Sequence, residues 1–509
     1  MRASLLIGCV LTLFCQLSSM AQPGSRNKFL SDSLDAYISD AMNKWKIPGM
    51  AVAVIKDGQW LVKKGYGVKE VGTSNPVDEN TLFGIGSNTK AFTGTALAVL
   101  QSQGKLNLND KVKKWVTDFQ VYDPWITKEM TIRDLVSHRM GYETFQGDFM
   151  YFDSDLSYSQ VKQKFGMIKP MHGFRTTWGY TNAGYAIAGE IIEKASGHPY
   201  SDFIREQIFE PIGMKNSIAE SREYAKSPLM SRAHTVTEGV LKKVAYGNLD
   251  NMKPAGVIAS SISDMGLWVQ TLLNNGELNG KRIFEPFAVQ EPMQPHTVMG
   301  LGGHPFNRAQ FYQYGLGWFT FSYEGNRIVE HTGGVNGFVT AVTLVPEAKL
   351  GIIVFTNTDS NILYEALKWE LLDACLDLPY RNYHQLYFDD YMQGEKQNQA
   401  FLKEKRDSVA LKLAPAVPLA QFAGTYLHEI YGKMTIKLEK GQLVARFEHH
   451  PGRFVTLGSL GGSRFLASFN DPIYGNRIWP FTIENGKVKS VTVTVSGFVE
   501  HTPYEFVKQ

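Results

Sequence analysis

The period of the hydrophobic pattern changes once along this 509-residue chain, near Phe422. Downstream, apolar and polar residues alternate. Met434, Ile436 and Leu438 are followed by a turn at Glu439-Lys440-Gly441-Gln442, then by Leu443, Ala445 and Phe447, and near the end by Val491, Val493 and Val495. Period two broken by tight turns is the pattern of half-buried antiparallel strands. Residues 417–509 are therefore expected to form a separate all-β domain, a small barrel or sandwich. A chain this long exceeds what one hydrophobic core usually holds, so more than one domain is expected on size alone.

Upstream the two periods are interleaved. Leu34, Ile38, Met42 and Trp45 recur at helical spacing, with Ser31 available as a cap. A strand over 49–55 turns at Lys56-Asp57-Gly58 into a second strand over 59–66. Helices are expected from Ser87 to a stop at Gly104, and over 182–196, 200–209 and 261–273. Strands follow over 314–322, 327–330, 338–346 and 350–356. This order implies a sheet among many helices, with both ends of the domain contributing strands. The domain is placed at 22–385. A charged, helix-prone stretch that includes Phe401-Leu402-Lys403-Glu404-Lys405-Arg406 and ends at Pro415 and Pro418 is read as a helical linker over 386–416.

Hydrophobic residues make up 43% of the chain and charged ones 20%, the balance of a globular protein. The net charge of +3 is spread out, with no basic stripe, which argues against nucleic acid as a partner and for a small molecule or peptide. Arg2, an apolar run from Leu5 to Phe14 and the small residues of Ser19-Met20-Ala21 read as a signal peptide over 1–21, so an exported, periplasmic or secreted protein is expected. Too few apolar residues precede Cys9 for Leu6-Ile7-Gly8-Cys9 to serve as a lipidation box. Cleavage after Ala21 would leave Cys375 alone, without a disulfide partner. No later run has the length of a transmembrane helix.

Three short motifs carry the chemistry: Ser87-Asn88-Thr89-Lys90, Tyr180-Thr181-Asn182 and His331-Thr332-Gly333. Singly the first two say little, since Ser-x-x-Lys and Tyr-x-Asn each occur four times, but only the Ser87 copy stands where a helix should begin. Residues three apart share a helix face, so Ser87 and Lys90 would be neighbours, and the helix N-terminus would favour a developing alkoxide. A serine hydroxyl needs a proton acceptor, which Lys90 supplies if burial lowers its pKa. Tyr180 could share that task as phenolate or relay. Asn182 can donate and accept, which suits it to orient Lys90 and hold a substrate amide. Gly333 would let an edge strand approach the substrate, and the backbone amides of Ser87 and Gly334 would form an oxyanion hole.

At these residues the chain resembles the serine β-lactamase and penicillin-binding-protein superfamily, nearest to class C β-lactamase-like hydrolases and DD-peptidases. The resemblance spans roughly residues 30 to 375. It includes Thr131 to His138, Phe209-Glu210-Pro211-Ile212-Gly213-Met214, Pro254-Ala255-Gly256-Val257 and Tyr314-Gly315-Leu316-Gly317-Trp318. It implies an α/β (α+β) transpeptidase-like domain with an antiparallel sheet flanked by helices. It implies Ser87 as acylated nucleophile, Lys90 and Tyr180 as general base and acid, Asn182 as substrate ligand, and His331, Thr332 and Gly333 as the acyl-binding strand. No metal or organic cofactor is implied.

The β tail, with Phe422-Ala423-Gly424-Thr425-Tyr426, resembles the lipocalin-like domain often appended to such hydrolases. His331 stands where class C β-lactamases carry Lys, and a histidine is mostly neutral at pH 7. A fixed charge for a β-lactam carboxylate is weakened, and a peptidase or esterase acting on a small peptide, ester or β-lactam-like substrate is expected. An aromatic segment, Tyr142, Phe145, Phe149, Tyr151 and Phe152, suggests either a lid over the cleft or ordinary loop packing. The competing reading is a non-catalytic protein that binds cell-wall peptides or a ligand held in the C-terminal domain.

Overall fold

A computed structural model describes residues 28–509; the signal-peptide reading and Cys9 and Cys15 lie outside the described residues. Eight strands form the main sheet: β1 (Gly49–Lys56), β2 (Gln59–Gly67), β3 (Thr297–Gly300), β4 (Gln310–Tyr314), β5 (Phe319–Tyr323), β6 (Asn326–Val335), β7 (Phe338–Val345) and β8 (Leu350–Thr356). Their order is β2-β1-β8-β7-β6-β5-β4-β3, every pair antiparallel. The first strands of the domain pair with its last one, Val52 opposite Val354. Both faces of the central strands are apolar because both are covered. Ala51, Ala53 and Ile55 join the core shared with helix Thr89–Ser102, while Met50, Val52 and Val54 pack with Ile38 and Trp45 of helix Leu34–Trp45 and with Trp369 of helix Leu363–Cys375.

Two expectations for this sheet need correction. The single strand expected over 314–322 is two strands, because Gly315 to Trp318 make a turn. Gly317 sits at φ +97, and a Cβ there would lie 2.3 Å from the Lys90 carbonyl oxygen, so the turn can press on helix Thr89–Ser102 only without a side chain. The strand expected over 327–330 continues to Val335 and carries the third motif.

Beyond helix Tyr383–Ala410, eight strands from Gly424 to Lys508 run in sequence order and close into a barrel, Tyr426 pairing with Lys508 and Leu427 with Val507. Closure leaves no open edge, and the alternation seen in the sequence becomes inward and outward side chains. The interior is packed with rings: Phe422, Phe465 and Phe481 lie 4.8 to 5.2 Å apart, with Phe447, Trp479 and Phe506 next to them.

Phe149 of the N-terminal domain stacks on His450 at 4.5 Å and on Tyr431 at 5.7 Å and meets Phe447 edge-on at 5.1 Å. Phe149 thus docks the two domains, while Phe145 of the same aromatic segment lies 5.5 Å from the Tyr180 ring. A salt bridge from Arg453 to Asp153 and a hydrogen bond between His449 Nδ1 and Asp155 at 3.0 Å flank the docking contact. Among the described residues no helix is long and apolar enough to cross a membrane, and Cys375 is a buried free thiol.

Candidate active site

Helix Thr89–Ser102 is buried at every position from Thr89 to Leu100, so it runs through the core with Lys90, Thr93 and Thr95 among its buried side chains. Ser87 stands one step before it, in a 3-10 turn over Gly86–Asn88, and not in the first α-turn expected. The turn is tied to the sheet: Asn88 Nδ2 donates to Thr340 Oγ1 at 2.9 Å, and Thr340 Oγ1 donates to the Ile85 carbonyl at 3.0 Å. Burial of the turn and helix start leaves Ser87 partly exposed and Lys90 fully buried.

Lys90 Nζ has three oxygen neighbours: Ser87 Oγ at 3.0 Å, Asn182 Oδ1 at 2.7 Å and the Ala255 carbonyl at 2.7 Å. It also lies 4.7 Å from the centre of the Tyr180 ring and 5.3 Å from that of Tyr185. Burial holds the amine well below the usual lysine range, with Asp148 pulling it back up. The Pro254 to Val257 stretch singled out in the sequence thereby has a role, since Ala255 supplies one of the three oxygens.

Tyr180 and Asn182 enter at the start of helix Asn182–Ser196. His138, a buried residue at φ +56, fixes that entry: its carbonyl accepts from Gly179 N–H at 2.9 Å, its Nδ1 accepts from Thr181 N–H at 3.0 Å, and its ring lies 4.3 Å from that of Tyr180. Burial pushes the Tyr180 phenol well above its ordinary value, against the pull of the Ser87 hydroxyl. Tyr180 is therefore a phenol and a proton donor, and the phenolate considered from the sequence is not the resting form.

His331 is buried and neutral. Its Nδ1 donates to the Thr332 carbonyl at 2.6 Å, which leaves Nε2 to accept from the Tyr314 hydroxyl at 3.0 Å, and burial lowers its pKa to about 3. It offers shape and a hydrogen-bonded wall but no charge. Thr332 is half-buried beside it. Gly333 tolerates no side chain, since a Cβ would stand 1.8 Å from the Ile85 carbonyl oxygen. Gly334 is exposed, and its amide nitrogen lies 2.8 Å from where a Cβ on Gly86 would stand, next to Ser87. Along β6, pairing with β7 runs from Val329 to Val335, but pairing with β5 stops at Glu330. From His331 onward β6 is an edge inside an otherwise continuous sheet.

All the residues singled out from sequence converge on this cleft. Four others were missed. Asp148 accepts from Asn182 Nδ2 at 2.6 Å and from the Tyr151 hydroxyl. Glu500, from the barrel, holds the Gly147 and Phe149 amides. His138 and Tyr314 lay inside stretches that had been noted only as landmarks. One signal existed for Asp148, a lone acid in the aromatic run from Phe145 to Phe152; Glu500 had none.

A serine and a buried lysine at a helix start, a tyrosine and asparagine at a second helix, and a sheet edge facing them define the β-lactamase-fold class of serine hydrolases. The family model described as Beta-lactamase matches residues 34–374, and this chain belongs to that family. A model described as a domain of unknown function (DUF3471) matches residues 410–506, the barrel region. Unguisins hydrolase ungD of Aspergillus violaceofuscus is 26% identical over 485 residues, covering 85% of this chain and 84% of its own length. Protein flp of Staphylococcus aureus is 25% identical over 330 residues, covering 64% of this chain and 63% of its own. The octameric penicillin-binding protein homologue from Pyrococcus abyssi has the same fold, with a TM-score of 0.58 at 20% identity over 93% of this chain and 99% of that one.

Proposed function

We propose that this protein is an exported serine hydrolase that cleaves amide or ester bonds of small peptides through an acyl-enzyme on Ser87. The arrangement around Lys90 Nζ carries the reading. A neutral primary amine has two N–H donors and one lone pair. The Ala255 carbonyl and Asn182 Oδ1 can only accept, so they take both N–H groups, and the lone pair is left facing Ser87 Oγ at 3.0 Å. The lowered pKa favours that neutral form.

In the acylation step Oγ attacks the substrate carbonyl while its proton passes to Lys90. The oxyanion is met by the Ser87 and Gly334 amides. The C–N or C–O bond breaks as the Tyr180 phenol gives a proton to the leaving group and recovers one from Lys90. Water then repeats the sequence on the acyl-enzyme, with the same groups in the reverse order.

The unpaired edge of β6 favours peptides over simple esters, since an extended backbone can add to it as a further strand. A neutral His331 weighs against recognition of a β-lactam carboxylate by charge. The ring of Phe498, from the barrel, lies 3.2 Å from where a Cβ on Gly334 would be, so an apolar substrate group beside the oxyanion site would meet it. The Arg2-to-Ala21 segment supports export, and the relative named unguisins hydrolase supports hydrolysis.

Turnover of p-nitrophenyl acetate, D-alanine p-nitroanilide and nitrocefin by wild type and Ser87→Ala tests the reading. Turnover that is lost in the variant, strongest on the anilide, is expected. Equal turnover by both proteins would refute it.

A further inference from the structure

We infer that Glu500, delivered by the barrel, is a positioning residue of the active site: by clamping the backbone on both sides of Asp148 it fixes the Asn182 amide and, through it, the lone pair of Lys90. The inference rests on the roles proposed above for Ser87 and Lys90.

Glu500 lies in the 494–503 loop between the last two barrel strands, and it is buried. Oε1 accepts from Gly147 N–H at 2.6 Å and Oε2 from Phe149 N–H at 2.9 Å, and the Tyr431 hydroxyl donates to both oxygens at 3.1 and 3.3 Å. The two amides flank Asp148, at the start of the short helix Asp148–Tyr151. Asp148 Oδ2 accepts from Asn182 Nδ2, and Asn182 Oδ1 accepts from Lys90 Nζ. Hydrogen bonds, with one covalent step through the backbone at Asp148, thus connect the barrel to Lys90.

The chain matters because an amide has two unlike ends. With Asp148 in place, the NH2 of Asn182 has an acceptor and its oxygen must face Lys90. Without that acceptor Asn182 can turn over and present N–H to Lys90, which engages the lone pair needed for the Ser87 proton. A burial cost is accepted for this. Asp148 is surrounded by Lys90, Tyr180, Tyr151, Tyr431 and Glu500, and burial pushes its carboxyl up to about 7, with hydrogen bonds from Tyr151 and Asn182 and the charge of Lys90 working against that rise. Burial also holds Glu500 well above the carboxylate range, with Asp148 adding to the effect. Two carboxyl groups this close serve no packing need that apolar side chains would not meet better.

The test uses the full chain and p-nitrophenyl acetate, reading kcat and KM against pH, thermal unfolding, and acetyl-Ser87 by mass spectrometry. Glu500→Ala should lower kcat by about 100-fold, the scale of a small misplacement of a reacting group, with KM little changed. Glu500→Gln should recover part of it, since one amide oxygen can still accept from the backbone. Asp148→Ala, which leaves the barrel clamp intact, should reproduce the loss, and it carries the test if Glu500→Ala does not fold. Asp148→Asn should move the acid limb of the pH profile to lower pH, because an anion that favours the Lys90 ammonium is gone. Wild-type kcat and pH profile in folded Glu500→Ala would overturn the inference while leaving the hydrolase reading intact. Absence of acetyl-Ser87 in the wild type would overturn both.

Discussion

Ser87 and Lys90 come from one stretch of chain, and their relation is set by three residues of turn and helix buried in the hydrolase core. Glu500 and Gly147 are 353 residues apart, and they meet only because Phe149 docks into a ring of barrel aromatics. Both regions act on the same amine. In the proposed mechanism the first supplies the reacting atoms, and their spacing is set locally by the turn and helix. The second supplies orientation, and it depends on the docking of a separate domain. A local motif can therefore announce a nucleophile and its base, whereas the groups that aim them belong to the tertiary structure.

The comparison can be broken at either end. Lys90→Gln, one atom shorter and without the basic amine, should lower kcat by about 10³- to 10⁴-fold, toward the upper end of what a general base contributes; a loss below tenfold would remove Lys90 from the reaction. Gly333→Ala drives a methyl into the Ile85 carbonyl and displaces either β6 or the Ser87 turn. A fall of about 100-fold in kcat/KM is expected, and wild-type turnover would mean that the turn and strand are not coupled.

The pH profile sharpens the division of labour. The proposed mechanism needs neutral Lys90 and a protonated Tyr180 phenol. The amine is held below its ordinary value and the phenol above it, so activity should rise from acid pH on a limb set by Lys90 and stay flat through about pH 10. Because His331 is already neutral, His331→Gln should leave the acid limb in place.

Asp148 makes a stability prediction of opposite character. Its folded pKa, about 7, exceeds the unfolded value, so the native state binds the extra proton and stability falls as pH rises from about 4 to 7. Asp148→Asn should therefore gain stability over wild type across that window, by an amount on the order of 4 kcal/mol at most, read as a Tm difference that is larger at pH 8 than at pH 4.

The smallest effect concerns the barrel's other contact. Phe498→Ala should raise KM for apolar substrates about fivefold, roughly 1 kcal/mol, with kcat unchanged. A fall in kcat instead would mean that Phe498 acts on the oxyanion site through Gly334.

Periodicity marked out much of the fold. Helix Asn182–Ser196 and the alternation from Met434 onward are local patterns, and both stand where the sequence puts them. Tyr314 to Ser322 misleads because an aromatic, β-prone run hides a turn whose need is tertiary, the close approach of Gly317 to Lys90. The aromatic segment around Phe149 reads equally well as lid or packing, since nothing in its spacing names the barrel rings that receive it. Ser87, Lys90, Tyr180 and Asn182 are recognisable because motif residues bind substrate by type. Glu500 is not, because it acts through backbone amides that any residue would supply.

The most direct test of the central claim is peptide mapping of the protein quenched during turnover of p-nitrophenyl acetate. The account predicts an acetyl group on Ser87 that accumulates in the wild type and is lost as water completes the cycle. Turnover with Ser87 unmodified, or an acetyl group carried instead by another residue, would contradict it.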